Sequence, residues 1–328
     1  MTAILLVSLG STVGLRASDG ELAASLERAG ARVTIAAAVP PRPTRTLALT
    51  DLAWALAARR AAADAIARDT PDAVIYSTIT ASLLAPAPGA IRLDALAASN
   101  RPGRHGVWQR PRERHLLARA PLLVPVSEQA MAGAPPRIGR VLVVPIAVEP
   151  SGAPLAGAAR DIAAITYAAN PDKKGLDRVL AAWACARRDG EQLLVAGVEE
   201  LPAASAAEGV RALGMLDRDA YRALQRRARI YVAASRREEY GIAQLEALAD
   251  GVLLVSSETA VSYPALELAR TLDSRLVGPD LAGAIRTALD DPRDDYAAAL
   301  APLLERFSRA SIDRIVAEQL LPALSAAA

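Results

Sequence analysis

The stretch Ser235-Arg236-Arg237-Glu238-Glu239-Tyr240-Gly241-Ile242-Ala243-Gln244-Leu245-Glu246-Ala247-Leu248-Ala249-Asp250-Gly251 decides how this chain is read. The apolar run Ile230 to Ala233 precedes it with strand character, and Val252 to Val255 follows it with the same character. Between the two, Gly241 allows a close turn and Ile242 to Ala249 has helical spacing, with Gly251 as the stop. The order strand, loop, helix, strand is a parallel unit, and it puts a helix N-terminus at the carboxyl edge of a sheet. Unsatisfied N–H groups and the helix dipole favour a phosphate there. Glu238 falls in the loop and Glu246 on the helix, seven residues between them, so two carboxylates can meet two parts of one extended ligand.

The same alternation runs through the whole chain, which predicts an α/β fold. Strands are expected at Ile4 to Val7, Val33 to Ala36, Ala73 to Tyr76, Ala90 to Leu93, Leu122 to Val126 and Val141 to Val144 in the first half. The second half adds Ile162 to Tyr167, Gln192 to Ala196, Ile230 to Ala233 and Val252 to Val255. Helices are expected at Gly20 to Ala29, Ala53 to Arg68, Leu176 to Arg188, Asp219 to Arg227, Ile242 to Ala249 and Leu281 to Leu289. With 328 residues the chain suits two domains. Val148 to Pro154 carries two prolines and a glycine and reads as the linker. The expected division is 1–149, 150–308, and an amphipathic helix in 309–328 that crosses back to the first domain.

Hydrophobic residues make up 52% of the chain, yet no run reaches the ~18 apolar residues of a membrane-spanning helix. The opening Met1 to Val7 lacks a basic region and reads as a first strand, not a signal peptide, so a cytoplasmic location is expected. The single cysteine, Cys185, excludes an internal disulfide, and its apolar helical setting predicts a small buried hydrophobe. The net charge of +2 is near balance and by itself names no partner; no nucleic-acid partner is expected.

At the quoted run the chain resembles retaining GT-B glycosyltransferases of family 4, whose signature is Glu, seven residues, Glu within E-G-F-G-x-x-x-x-E-A-x-A-x-G. The resemblance implies two Rossmann-like domains facing each other across a donor and acceptor cleft. It gives Glu238 the donor sugar hydroxyls, Glu246 the nucleotide ribose, and the backbone of Tyr240, Gly241 and Ile242 the diphosphate and sugar. Asp172-Lys173-Lys174-Gly175-Leu176-Asp177 resembles the family's K-G-L-D loop and makes Lys174 the diphosphate contact. The family's arginine five residues earlier is Ala169 here, so Lys173 or another cation must supply that charge. Val210 to Leu216 resembles the loop whose backbone reads the nucleobase, which places Met215 at the base. Gly14 falls where the family's glycine loop after strand one approaches the phosphates. The histidine that family members carry after the fourth strand is replaced by Asp94, which is either a sugar contact or a helix cap; His105 is an alternative.

Between Arg101 and Arg119 stand six arginines against one glutamate, with Trp108 and two histidines interleaved. Arg101, Arg104, His105, Trp108 and Arg110 are therefore the expected contacts to an anionic acceptor or an anionic membrane surface, against the alternative of internal pairing or plain solvation. What the resemblance implies is retaining, metal-independent transfer from a UDP- or GDP-sugar to a sugar, lipid or glycan, with no cofactor beyond the donor. The rivals are a non-catalytic nucleotide-sugar scaffold and a GT-B-like epimerase.

Overall fold

The computed structural model describes residues 1–101, 103–153, 155, 157–201 and 208–326. They form two compact units, one of Met1–Ala147 with Arg306–Ala328 and one of Val148–Glu305. Each is built on a five-stranded sheet in which every paired strand is parallel.

In the first unit β1 (Ala3–Ser8), β2 (Arg32–Ala37), β3 (Ala73–Tyr76), β4 (Ala90–Leu93) and β5 (Leu123–Pro125) take the order β2-β1-β3-β4-β5. The central strands are rich in apolar residues because helices cover both faces of a parallel sheet. Ile4, Leu6, Ile75 and Val124 pack on one face against Leu22 and Leu26 of the Val13–Arg28 helix and against Ile312, Val316 and Leu320 of the C-terminal segment. Asp313 in that segment also accepts from Arg28 Nε at 2.8 Å. The other face packs on Ala58, Ala62 and Ala65 of the Leu47–Arg68 helix, where small side chains let helix and sheet approach closely. The final helix is interrupted by a π-helical turn at Val316–Leu320, just before Pro322, which cannot donate to the helix ladder.

Two expectations for this fold are corrected. Val141–Val144 runs beside β5, with Leu142 and Val144 N–H bonded to Leu123 and Pro125, but makes a single bridge at Val141 and is not a sixth strand; Pro145 ends it. Cys185 is exposed, because the Leu176–Ala186 helix buries Leu176, Val179, Leu180, Trp183 and Ala186, and residue 185 faces elsewhere. Gly14 sits inside the first turn of the Val13–Arg28 helix, and a Cβ there would meet nothing within 4 Å. The left-handed turn after β1 is made by Gly10, at φ 57°.

In the second unit β6 (Ile162–Tyr167), β7 (Leu193–Ala196), β8 (Val210–Ala212), β9 (Ala228–Ala233) and β10 (Leu253–Ser256) take the order β10-β9-β6-β7-β8. From β6 the chain builds outward through β7 and β8, then returns to add β9 on its other side. The order reverses between β6 and β9, and in open α/β sheets the crevice at such a reversal, beyond the carboxyl ends of the strands, is where ligands bind. Strand β8 and the helices Pro264–Leu272 and Tyr296–Leu304 are additions that periodicity does not predict.

Candidate donor site

The loops after β6 and β9 meet at the reversal. Asn170 caps the one-turn helix Pro171–Lys174 by accepting from Lys173 N at 3.0 Å, and Gly175 then turns left-handed at φ 64°. A Cβ on Gly175 would lie 2.0 Å from the Ala234 carbonyl oxygen, so only glycine lets the two loops come this close. Arg236 N donates to Lys173 O at 2.9 Å and joins them.

This seam pairs the side chains. Lys174 Nζ lies 2.5 Å from Glu238 Oε2, and Lys173 Nζ lies 2.5 Å from Glu239 Oε2. Glu238 is 8% exposed and also accepts from Gln244 at 3.2 Å and Ser235 at 3.3 Å. Burial alone would raise the Glu238 carboxyl, but the charges of Lys174 and Lys173 and the bonds from Lys174 and Gln244 hold it below its ordinary value. It is therefore an ionised group kept largely from water. Lys173 is engaged by Glu239, which also accepts from Arg237 Nε at 3.1 Å.

Gly241, at φ 78°, starts the Ile242–Ala249 helix against the ring of Tyr263, where a Cβ would stand 2.7 Å from a ring carbon. No side chain caps this helix, and Tyr240 is buried just before it. The first N–H groups of a helix have no intrahelical partner. Farther along the helix, Glu246 is buried between Arg218, 2.6 Å away, and Arg222, 3.3 Å away; Arg222 also binds Asp250 at 2.9 Å. Arg218 is 60% exposed in its side chain and can swing away, whereas Arg222 is fixed.

The loops after β7 and β8 are joined by Gly197 N to Gly214 O at 2.8 Å and Gly214 N to Val198 O at 2.9 Å. Met215 is exposed beyond them, and its N–H points to Glu199 Oε1 at 3.4 Å. The structure thus brings Lys173, Lys174, Glu238, Gly241 and Ile242 together at the reversal, with Glu246 on the same helix. Sequence reading alone does not find Ser235, Gln244, Arg218, Arg222 or Glu199. The pair Arg218 and Arg222, four residues apart on one helix, is the available signal for two of them. A separate cavity of about 470 Å³, lined by Arg160, Glu191, Arg211 and Arg229 among others, opens at the amino-terminal ends of β6, β7 and β9, away from these loops.

The first unit places its expected residues differently. Asp94 follows β4 and is half-buried, and Leu96 stands at the N-cap position of the adjacent short helix. Within the arginine segment, Arg101 grips buried Asp51 at 2.6 and 3.0 Å, and Gln109 donates to the same carboxylate. Trp108 Nε1 donates to Ala48 O at 3.1 Å. Arg110 donates to the carbonyls of Arg101 and Gly103, and Arg112 to that of Leu83. Glu113 accepts from Ala97 N, and burial pushes its carboxyl up to about 7. Much of the arginine segment is therefore engaged in contacts within its own unit, and Arg104 and His105 remain exposed. A buried cluster unforeseen in the sequence joins β1 to β4: Arg92 Nη2 donates to Ser18 Oγ at 2.8 Å and Nη1 lies 3.4 Å from Asp19, which also accepts from Ser8. Burial raises the Asp19 carboxyl despite these partners.

Residues 160–303, nearly all of the second unit, match the family described as glycosyl transferases group 1. Among solved structures, sucrose-phosphate synthase from Thermosynechococcus elongatus is similar over 100% of both chains, at 17% identity and a TM-score of 0.76. HepE of Anabaena in complex with UDP is similar over 98% of this chain and 100% of its own, at 17% identity and a TM-score of 0.72. WaaG, a glycosyltransferase involved in lipopolysaccharide biosynthesis, is similar over 100% and 98%, at 16% identity and a TM-score of 0.64. No curated protein sequence matches. The fold of the chain is that of GT-B glycosyltransferases, and the family match covers its second unit. More particularly, its second unit carries the group 1 glycosyltransferase domain.

Proposed function

We propose that the protein is a retaining transferase that moves a sugar from a nucleoside diphosphate sugar to an anionic sugar, lipid or glycan acceptor, without a metal ion. The observation that carries the proposal is the Lys174–Glu238 pair at the strand-order reversal, beside an uncapped helix N-terminus. The diphosphate lies against Lys174 and the first amides of the Ile242–Ala249 helix. Charge that builds on it as the glycosidic bond breaks is met by a cation already in place. Glu238, held ionised, accepts hydrogen bonds from donor sugar hydroxyls. Glu246 takes the ribose hydroxyls in place of Arg218. The acceptor then attacks from the side of the departing diphosphate, which preserves the anomeric configuration and needs no protein nucleophile. Lys173 supplies part of the charge absent at Ala169. The first unit serves the acceptor, with Asp94 as a candidate sugar contact, and the protein works in the cytoplasm or peripherally at the membrane face. Incubation with candidate donors, with and without acceptor, tests the reading: free nucleoside diphosphate and an unchanged anomer support it, and release of neither removes it.

HepE binds UDP, so a UDP-linked donor is one reading by analogy. A guanine is favoured by the Glu199 carboxylate beside the Met215 amide. Guanine offers two adjacent donors, N1–H and N2–H₂, to a carboxylate, whereas uracil offers one N–H between two carbonyls. A thermal-shift panel is expected to rank GDP above UDP and dTDP, and Glu199→Gln is expected to shrink that preference by roughly 10-fold. A wild-type preference for UDP that Glu199→Gln leaves intact rejects the assignment of the base.

A further inference from the structure

The first unit carries a second feature that its core does not explain. Val39 is 78% exposed, Val107 67%, Leu49 51% and Leu47 45%. They come from two segments that the structure ties together. Trp108 donates to Ala48 O, and Arg101 and Gln109 both hold Asp51, so Val107 stands beside the first turn of the Leu47–Arg68 helix. Thr46 caps that turn through Leu49 N at 3.3 Å, and Thr44 bonds Thr50 at 2.7 Å, which fixes the loop entering it. Arg42, Arg45 and Arg104 are exposed on the same two segments and have no carboxylate partner among the described residues. Neither 38–50 nor 95–112 contains an Asp or Glu. Of the carboxylates that bound these stretches, Asp51 is buried and held by Arg101, Glu113 is buried and accepts from Ala97 N, and Asp94 is half-buried.

We infer that this surface docks on an anionic phospholipid bilayer, with Val39, Leu47, Leu49 and Val107 entering the headgroup boundary and Arg42, Arg45 and Arg104 on lipid phosphates. Charge complementarity decides the occupant: exposed aliphatic groups flanked along the chain by arginines, on stretches without acidic residues, fit a negative surface. Exposed aliphatic side chains beside cationic ones suit a membrane interface. The inference rests on the membrane-facing part of the proposed function and relocates it. Arg101 is held by Asp51, Arg110 by the loop's own carbonyls and Arg112 by the Leu83 carbonyl, and the docking charges come largely from the 38–49 segment.

The experiment is sedimentation of the full chain with neutral phosphatidylcholine vesicles and with vesicles containing about 30% phosphatidylglycerol. At least about 10-fold stronger partitioning onto anionic vesicles, weakened by roughly 0.5 M salt, is the expected result. Arg42→Gln with Arg45→Gln is expected to lower anionic binding several-fold, and Leu49→Asp with Val107→Asp to abolish it. The thermal response of each variant to nucleoside diphosphate, a property of the second unit, must stay as in wild type. Equal partitioning onto both vesicle types, none onto either, or variants that bind like wild type would overturn the inference. So would binding to an acidic polypeptide, polyglutamate, in preference to anionic vesicles. Vesicle binding without any nucleotide response would instead leave this inference standing and remove the glycosyl-transfer reading.

Discussion

Lys174→Ala is expected to lower kcat by about 10²-fold or more with a smaller change in KM, because its charge is felt most as the diphosphate departs. The Lys174–Glu238 pair adds a second consequence. Glu238 stays buried in the variant while its closest cation is gone, so its carboxyl moves up from its depressed value. In the wild type a depressed carboxyl contributes stability that is present above its unfolded pKa and is lost as pH falls through the folded one. In the variant that loss begins at higher pH, and the acid limb of the kcat profile moves the same way. Removing one partner of a buried pair costs about 3–5 kcal/mol in general, so melting curves against pH accompany the kinetics. An unchanged kcat with a raised KM would make Lys174 a ground-state anchor. Superimposable pH profiles would show that the pair does not form in solution.

Glu238→Ala and Glu246→Ala are expected to separate catalysis from nucleotide binding. Free nucleoside diphosphate contains the ribose but no donor sugar, so on the proposed roles the Glu246 contact is present in its complex and the Glu238 contact is not. Glu246→Ala should weaken nucleoside diphosphate binding by about 10-fold or more, the range of a hydrogen bond to a charged group. Arg222, which loses Glu246 in this variant, is expected to keep Asp250, 2.9 Å away, as a partner. Glu238→Ala should leave that affinity near wild type and lower kcat by about 10²-fold, since the donor sugar loses an ionised anchor. Calorimetry with the nucleotide and initial rates with the full donor measure the two quantities. If both variants bind and turn over like wild type, neither carboxylate belongs to the donor site.

The amino-acid sequence by itself determined which stretches become strands and helices and where the Glu238–Glu246 run sits. These depend on residues within a few positions of one another. Apolar runs such as Ile162 to Tyr167 must be covered on both faces, and Gly241 and Gly251 bound a helix through local backbone geometry. Short or amphiphilic elements escape that reading: β8 is three residues with an arginine at its centre, and its place depends on pairing with β7. The tertiary structure alone decided the partners. Lys174 and Glu238 are 64 residues apart and meet because β9 returns beside β6, an order that periodicity does not encode. Arg101 reads as a free cation until Asp51, 50 residues away, is folded beneath it. Cys185 is exposed because the helix turns Trp183 to the core, and Gly10 makes the left-handed turn after β1. Local periodicity says which face is apolar. The strand order says which charges meet, and an ion pair is decided by distances that only the packed chain sets.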